Sequence, residues 1–340
     1  MSFTPPFCPR RGCPCNLHPT PGFYRPHGYY RSSLHPRPLR RFRCRSCRLT
    51  FGLMTFRYAY RQKKPHVDAP LLRLLCNGVS LRAAARLLAI NPKTVSHKLR
   101  RLGRHAQRQQ RAVLQQHPLR GHFQLDEMET FETSRFQPLT VPLLIDKHSY
   151  FIAALATAPL RRSGRMTPRQ KARRNAFETL HGRRPSRSDQ AVRRCLATLC
   201  RHADGPVPLD SDRKPSYHRI ARRLLGPRLL HATFDSKTRR NRANPLFPIN
   251  HTNAMARYGL ARLRRRTWCV SKRRRWLELA LHAWAGWFNF CRGVTIHTNV
   301  TPAEALGLAS RRLQLNEWLR WRHDGHLQGR LLPQPLISHS

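Results

Sequence analysis

The chain has 340 residues, 65 of them Lys or Arg against 16 Asp or Glu, giving a formal charge of +49 at pH 7. A field of that size repels itself unless a polyanion screens it, so DNA or RNA is the expected partner. No run of about 18 apolar residues, lipidation motif or signal-peptide core is present, so no membrane association is expected. The ten cysteines are then read for a reducing, cytoplasmic compartment, as metal ligands or buried thiols before disulfides.

Residues 1–60 carry Cys8-x4-Cys13 and, after a long gap, Cys44-x2-Cys47. Two close pairs, each on a tight turn with short strands between, are what tetrahedral thiolate ligation of a structural Zn²⁺ requires. Cys15 competes with Cys13, because Cys-Pro-Cys leaves either usable. Phe42 and Phe51 bracket the second pair as core aromatics, and a module this small relies on its metal.

Residues 66–110 turn helical. An apolar run at Leu71, Leu72, Leu74 and Leu75 ends at Asn77-Gly78. Ser80 caps a helix over Leu81–Ala89, and Asn91-Pro92 starts a third over Lys93–Arg108, with Val95, Leu99 and Leu102 on its apolar side. Lys93, Thr94, Ser96, His97 and Arg100 fall on or near the other side. A helix, a short turn and a second helix is the arrangement that lays the second helix in a DNA major groove. An ordinary helical hairpin is the plainer reading, and the charge favours DNA.

Residues 118–310 read as an α/β layer. The stretch GHFQLDEMETFE predicts a strand with Gln124, Asp126 and Met128 on one face and Leu125 and Glu127 on the other. A hairpin follows, with strands at Val141–Ile145 and Tyr150–Leu155 and Asp146 in the turn. Residues 160–188 read as a basic, solvated loop. Then come a helix Gln190–His202, a strand Pro206–Leu209 ending in Asp210-Ser211-Asp212, a helix Tyr217–Leu225 and a strand Leu229–Phe234. The order suggests a mixed sheet flanked by helices. Carboxylates that meet at strand ends in such a fold hold two divalent metals for phosphodiester chemistry. Asp126 and Asp212 are the candidates, with Asp210 as the fallback, and helix capping is the competing role.

The dense basic run 262–275, RLRRRTWCVSKRRR, reads as a strand clamp through Arg264, Arg265, Arg266 and Lys272, with Trp268 free to stack on a base. Trp276–Phe290 reads as a core helix, with Glu278 bridged to nearby arginines. The tail, 311–340, reads as a frayed terminus.

Taken together, RFRCRSCRLTF, the paired helices, LDEMETF, SDRKPSY, INHTNAMARYGLARLRRRTWCVSK, FNFCRG and TPAEALGLA resemble bacterial insertion-sequence transposases of the DDE type. Those join a zinc ribbon and a helix-turn-helix to an RNase H-like catalytic core. The resemblance implies Asp126 and Asp212 as the first two ligands of Mg²⁺ or Mn²⁺. At the family's third ligand, usually glutamate, matching backwards from Leu260-Ala261-Arg262-Leu263 places Asn250, with His251 and Asn253 beside it. Arg257, seven residues on, is expected near the same site as a phosphate contact. No Asp or Glu occurs between Asp235 and Glu278.

The expectation is therefore a three-part protein: a zinc ribbon, an all-α helix-turn-helix and an α/β RNase H-like domain. It would act at the bacterial nucleoid on double-stranded DNA, as a homodimer or larger assembly. The chief rival is an inactivated derivative that only binds DNA. An RNA-binding zinc protein is the second.

Overall fold

The computed structural model describes residues 3–239, 241–265, 267–294 and 298–321. Arg266 and, of the expected tail 311–340, residues 322–340 lie outside the described residues. Residues 311–321 correct the expectation of a frayed end, since Leu313, Leu315, Trp318 and Trp321 are buried.

The N-terminal unit holds a short helix α1 (Pro14–Leu17) and an antiparallel sheet β1-β2-β3 (Tyr24–Ser32, His35–Cys44 and Thr50–Gly52). Phe23, Phe42, Phe51 and Phe56 pack around Cys8, Cys13 and Cys44 in a small core of their own. So few aromatics bury little area.

Three helices follow: α2 (Asp68–Cys76), α3 (Leu81–Leu87) and α4 (Pro92–Gln116). The caps lie where the residue types place them. Ser80 Oγ accepts from Ala83 N, and Asn91 Oδ1 accepts from Lys93 N. Helix α4 runs eight residues beyond the expected Arg108, because its apolar side continues through buried Gln109, Val113 and Leu114. A buried ion pair fastens it to α2: Lys98 Nζ donates to Asp68 Oδ1 at 2.6 Å and also to Lys64 O.

The remainder is a mixed α/β sheet domain. Its strands are β4 (Phe123–Phe131), β5 (Pro138–Asp146), β6 (Ile152–Leu155), β7 (Ala158–Pro159), β8 (Val207–Asp212) and β9 (Leu229–Phe234). The order is β6-β5-β4-β8-β9, with β7 on β5. The first hairpins are antiparallel, and β4, β8 and β9 run parallel. β5 is buried along nearly its whole length, as a strand covered on both faces must be.

Helices α5 (Pro168–His181), α6 (Ser188–His202), α7 (Pro215–Leu225), α8 (Phe247–Gly259), α9 (Arg274–Cys291), α10 (Pro302–Ala305) and α11 (Leu315–Arg320) complete the chain. Helix α5 corrects the reading of 160–188 as a loop. Thr167 and Gln170 form a capping box with Pro168 in the first turn, which starts a helix even though no residue of it is buried. Glu278 is also corrected: it accepts from Thr157 Oγ1 at 2.6 Å, and no arginine is paired with it among the described residues.

One continuous core joins α2–α4 to the sheet, and α4 packs along α9. The two helices meet at Gly103, where an added Cβ would lie 2.5 Å from Leu279 O.

Candidate functional site

Strand β4 alternates as its sequence dictates, and each face has its own helix. On one face, Gln124 ties β4 to α8: its Oε1 accepts from Ile249 N at 3.0 Å, and its Nε2 donates to Pro245 O at 2.7 Å. Ile249 lies in the first turn of α8, where backbone N–H groups lack helical partners, so Gln124 caps the helix and fixes its register. Four helical residues rise about 6 Å and two strand residues about 6.6 Å. The next rung therefore brings Asn253 to Asp126, where Nδ2 donates to Oδ2 at 2.7 Å. A third rung follows, with the Arg257 guanidinium donating to Glu129 O at 3.1 Å.

The β4–β8 ladder pairs Phe123 with Leu209, Gln124 with Asp210 and Leu125 with Ser211. The ladder ends there, one residue before Asp126 and Asp212, which the alternation places on the same face of the sheet. Asp212, the last residue of β8, accepts from Lys214 N at 3.0 Å. The phenol of buried Tyr217 is pushed well up, first by burial and then by the carboxylates of Glu127, Asp126 and Asp212. Two half-buried aspartates thus lie one residue past the β4–β8 ladder, with an amide against the first of them. Carboxylate and amide oxygens suit a hard divalent cation, so this donor set fits Mg²⁺ or Mn²⁺.

The fallback ligand, Asp210, has another role. It is 1% exposed and accepts from His122 Nε2 at 2.8 Å, Lys147 Nζ at 2.8 Å and Gln124 Nε2 at 3.3 Å. Burial opposes its ionisation, yet the bonds from Lys147, His122 and Gln124 hold it below the usual carboxylate range. Asp146, expected in the turn, is the last residue of β5, and its carboxylate holds the turn that follows by accepting from Ser149 N, Ser149 Oγ and His148 N.

Of the three α8 residues left open by the sequence, Asn253 is the one against Asp126. Asn250 is half-buried one turn earlier, its backbone N–H on Leu246 O. His251 packs edge-on to Tyr150 and against Phe247, and burial together with Arg292 pushes its imidazole pKa down.

The other face of β4 holds what the sequence reading missed. Glu127 accepts from Thr140 Oγ1 at 2.7 Å, Ser188 Oγ at 2.6 Å and Tyr217 OH at 2.9 Å, and it forms an ion pair with Lys214. The signal was available: alternation turned Glu127 away from Asp126 into a helix-covered layer, where a carboxylate needs a cation.

At the N-terminal unit, the Sγ atoms of Cys8, Cys13, Cys44 and Cys47 all lie within 4.8 Å of one another. The Cys8–Cys47 and Cys13–Cys44 separations are 3.4 and 3.8 Å. Bonds of about 2.3 Å to a tetrahedral Zn²⁺ span roughly 3.8 Å between sulfurs, so the set fits zinc. Cys13 is in the cluster, while Cys15 contributes its carbonyl to Cys8 N.

The basic residues divide. Lys93, His97 and Arg100 are exposed on the first turns of α4, with Thr94 and Ser96 half-buried beside them. Arg264, Arg265 and Lys272 are exposed, and Trp268 is fully exposed. A cavity of about 670 Å³ has Arg82, Ser96, Arg262, Trp268 and Lys272 among its lining residues. No helix among the described residues is long and apolar enough to cross a membrane.

A comparison with known protein families finds none that matches this chain, and a search among curated proteins finds no similar one.

Proposed function

We propose that this chain is a DNA transposase of the DDE type, which cuts at the ends of an insertion sequence and joins them to target DNA. The observation that carries this reading is the parallel β4–β8 ladder, which ends one residue before Asp126 and Asp212, with Asn253 hydrogen-bonded to Asp126 from α8. The strand order β6-β5-β4-β8-β9, with helices on both faces, supports an RNase H-like core. The exposed first turns of α4, following a tight turn from α3, support a helix-turn-helix that reads element ends. The fourfold cysteine cluster supports a zinc ribbon beside it.

In this reading Asp126 and Asp212 bind Mg²⁺ or Mn²⁺ through carboxylate oxygens, and the Asn253 amide oxygen completes the protein ligands. The ions, when bound, activate the attacking hydroxyl and stabilise the leaving oxygen of the phosphodiester. The protein's own task is placement. Lys93, Thr94, Ser96, His97 and Arg100 hold the end sequence, and Arg264, Arg265 and Lys272 hold phosphates of the strand entering the site. Water displaces the 3′-oxygen from phosphorus in the first step, and the freed 3′-hydroxyl displaces a target 3′-oxygen in the second. Arg257 donates to the Glu129 carbonyl, which braces α8 and holds the guanidinium near the site as a phosphate contact.

A second reading has one observation behind it. With an amide where a carboxylate usually completes the metal site, the chain would be a DNA-binding protein that no longer cuts.

The test is nicking of labelled DNA carrying the element's own flanks, with Mg²⁺ or Mn²⁺, by wild type, Asp126→Ala and Asn253→Asp. Metal-dependent nicking lost in Asp126→Ala supports the transposase. Nicking by Asn253→Asp alone indicates a decayed site. DNA binding without nicking by any of the three leaves the DNA-binding protein.

A further inference from the structure

The β4–β8 ladder ends at Leu125 and Ser211, one residue short of the two aspartates. On its other side Asp212 is still laddered, to Phe234 of β9. Toward β4, where Asp126 lies, regular pairing has stopped just before the two carboxylates. Like charges at that point repel, so a site that takes up a cation there needs a tie beyond the last rung.

Lys214 supplies that tie. Its backbone N–H donates to Asp212 Oδ1 at 3.0 Å, and its side chain reaches across the end of the sheet to Glu127, the residue after Asp126. Glu127 is itself immobilised. Its side chain is 9% exposed and takes hydrogen bonds from β5 through Thr140, from α6 through Ser188 and from α7 through Tyr217. Ser188 Oγ also accepts from Lys214 Nζ at 2.8 Å. The ammonium is thus held from behind the sheet, on the face away from the metal-binding aspartates, where it ties the strands without neutralising them.

We infer that Glu127 and Lys214 are positioning residues, which hold Asp212 in register with Asp126 so that the pair binds a divalent cation. The inference rests on the reading of those aspartates as metal ligands. It also assigns Glu127 a second duty. Without its charge, the Lys214 ammonium is released within reach of Asp212 and competes there with the metal.

The test is Mn²⁺ binding to the zinc-loaded full chain, followed by the electron paramagnetic resonance signal of the free ion, with thermal melting alongside. Wild type is expected to show a site that Asp126→Ala abolishes. Glu127→Gln is expected to weaken that site about tenfold or more, the usual cost of losing a partner behind a metal ligand. Lys214→Arg, which keeps the ion pair, is expected to bind as wild type does. The doubly neutral Glu127→Gln/Lys214→Met chain guards against simple misfolding and is expected to fold and bind weakly. Wild-type affinity in Glu127→Gln overturns the inference. So does wild-type affinity in the double variant when Glu127→Gln fails to fold, because the pair then matters only to stability. A wild type without an Asp126-dependent site is a different result: it removes the metal-site reading itself, and the inference with it.

Discussion

Asn253 Nδ2 donates to Asp126 Oδ2, while the amide's own oxygen is buried without a partner among the described residues. An amide can turn over, and beside a cation held by Asp126 its oxygen becomes the inward group. Asn253→Asp is expected to act in opposite directions with and without metal. Metal-free, a second carboxylate against Asp126 repels it, and the melting temperature falls by a few degrees. With Mn²⁺ added, the same variant gains more stability than wild type, since a cation that binds only the folded chain stabilises it in proportion to affinity. Asn253→Leu is expected to lose metal stabilisation altogether. Thermal melting with and without Mn²⁺ checks all three, and equal metal shifts in the three chains would exclude Asn253 as a ligand.

Zinc removal is expected to unfold the N-terminal unit and leave the sheet domain standing. The core around Cys8 is a handful of aromatics, whereas the main core runs unbroken from α2 to α11. Binding energy at a structural zinc site, about 10–16 kcal/mol in small fingers, is there folding energy. A chelator should abolish dispersion of the Phe23 and Phe51 resonances while far-ultraviolet circular dichroism changes little. Cys13→Ser should release zinc and Cys15→Ser should retain it. The reverse pair of results would reassign the fourth ligand.

The parts legible in the sequence are those governed by local rules. Alternation in β4 gave the two faces of Asp126 and Glu127, and Ser80 and Asn91 marked real helix starts. The parts that stayed hidden depend on contacts distant in the chain. Which of Asn250, His251 and Asn253 meets Asp126 is decided by Gln124 capping Ile249, a bond across 125 residues. The packing of α4 along α9, far along the chain, was likewise out of reach of local rules. Helix α5 was hidden for the opposite reason: its capping box was in plain view, but no apolar stripe accompanied it.

Gly103 sits where α4 crosses α9, with the Leu279 backbone so near that a side chain has no room. Gly103→Val should force the helices apart and cost about 1–3 kcal/mol or more, the range for overpacking a filled core. Because α4 carries both the candidate DNA-reading turn and the contact with α9, separation should also loosen the coupling between them. Melting and DNA affinity measured together check this, and an unchanged melting temperature would mean that the crossing accommodates a side chain.

The Lys98–Asp68 pair fixes α4 to α2 from inside, with side chains 6% and 1% exposed. Burial raises the Asp68 carboxyl above its usual value, even though Lys98 and Arg101 pull it down. Lys98→Met would leave that carboxylate buried without its main counter-charge, a loss of about 3–5 kcal/mol at neutral pH. The sign of the pH dependence follows. A carboxyl whose folded value lies above its unfolded one favours the folded state as it takes up a proton, so stability rises as pH falls through the folded value. Removing Lys98 lifts that value further, and the deficit of Lys98→Met should shrink steadily on acidification. Lys98→Met/Asp68→Asn, with no charge to bury, should recover most of the loss at pH 7 and show no such trend. Denaturant midpoints of the three chains between pH 5 and 8 provide the check, and a deficit in Lys98→Met that stays constant with pH would show that Asp68 does not take up the proton.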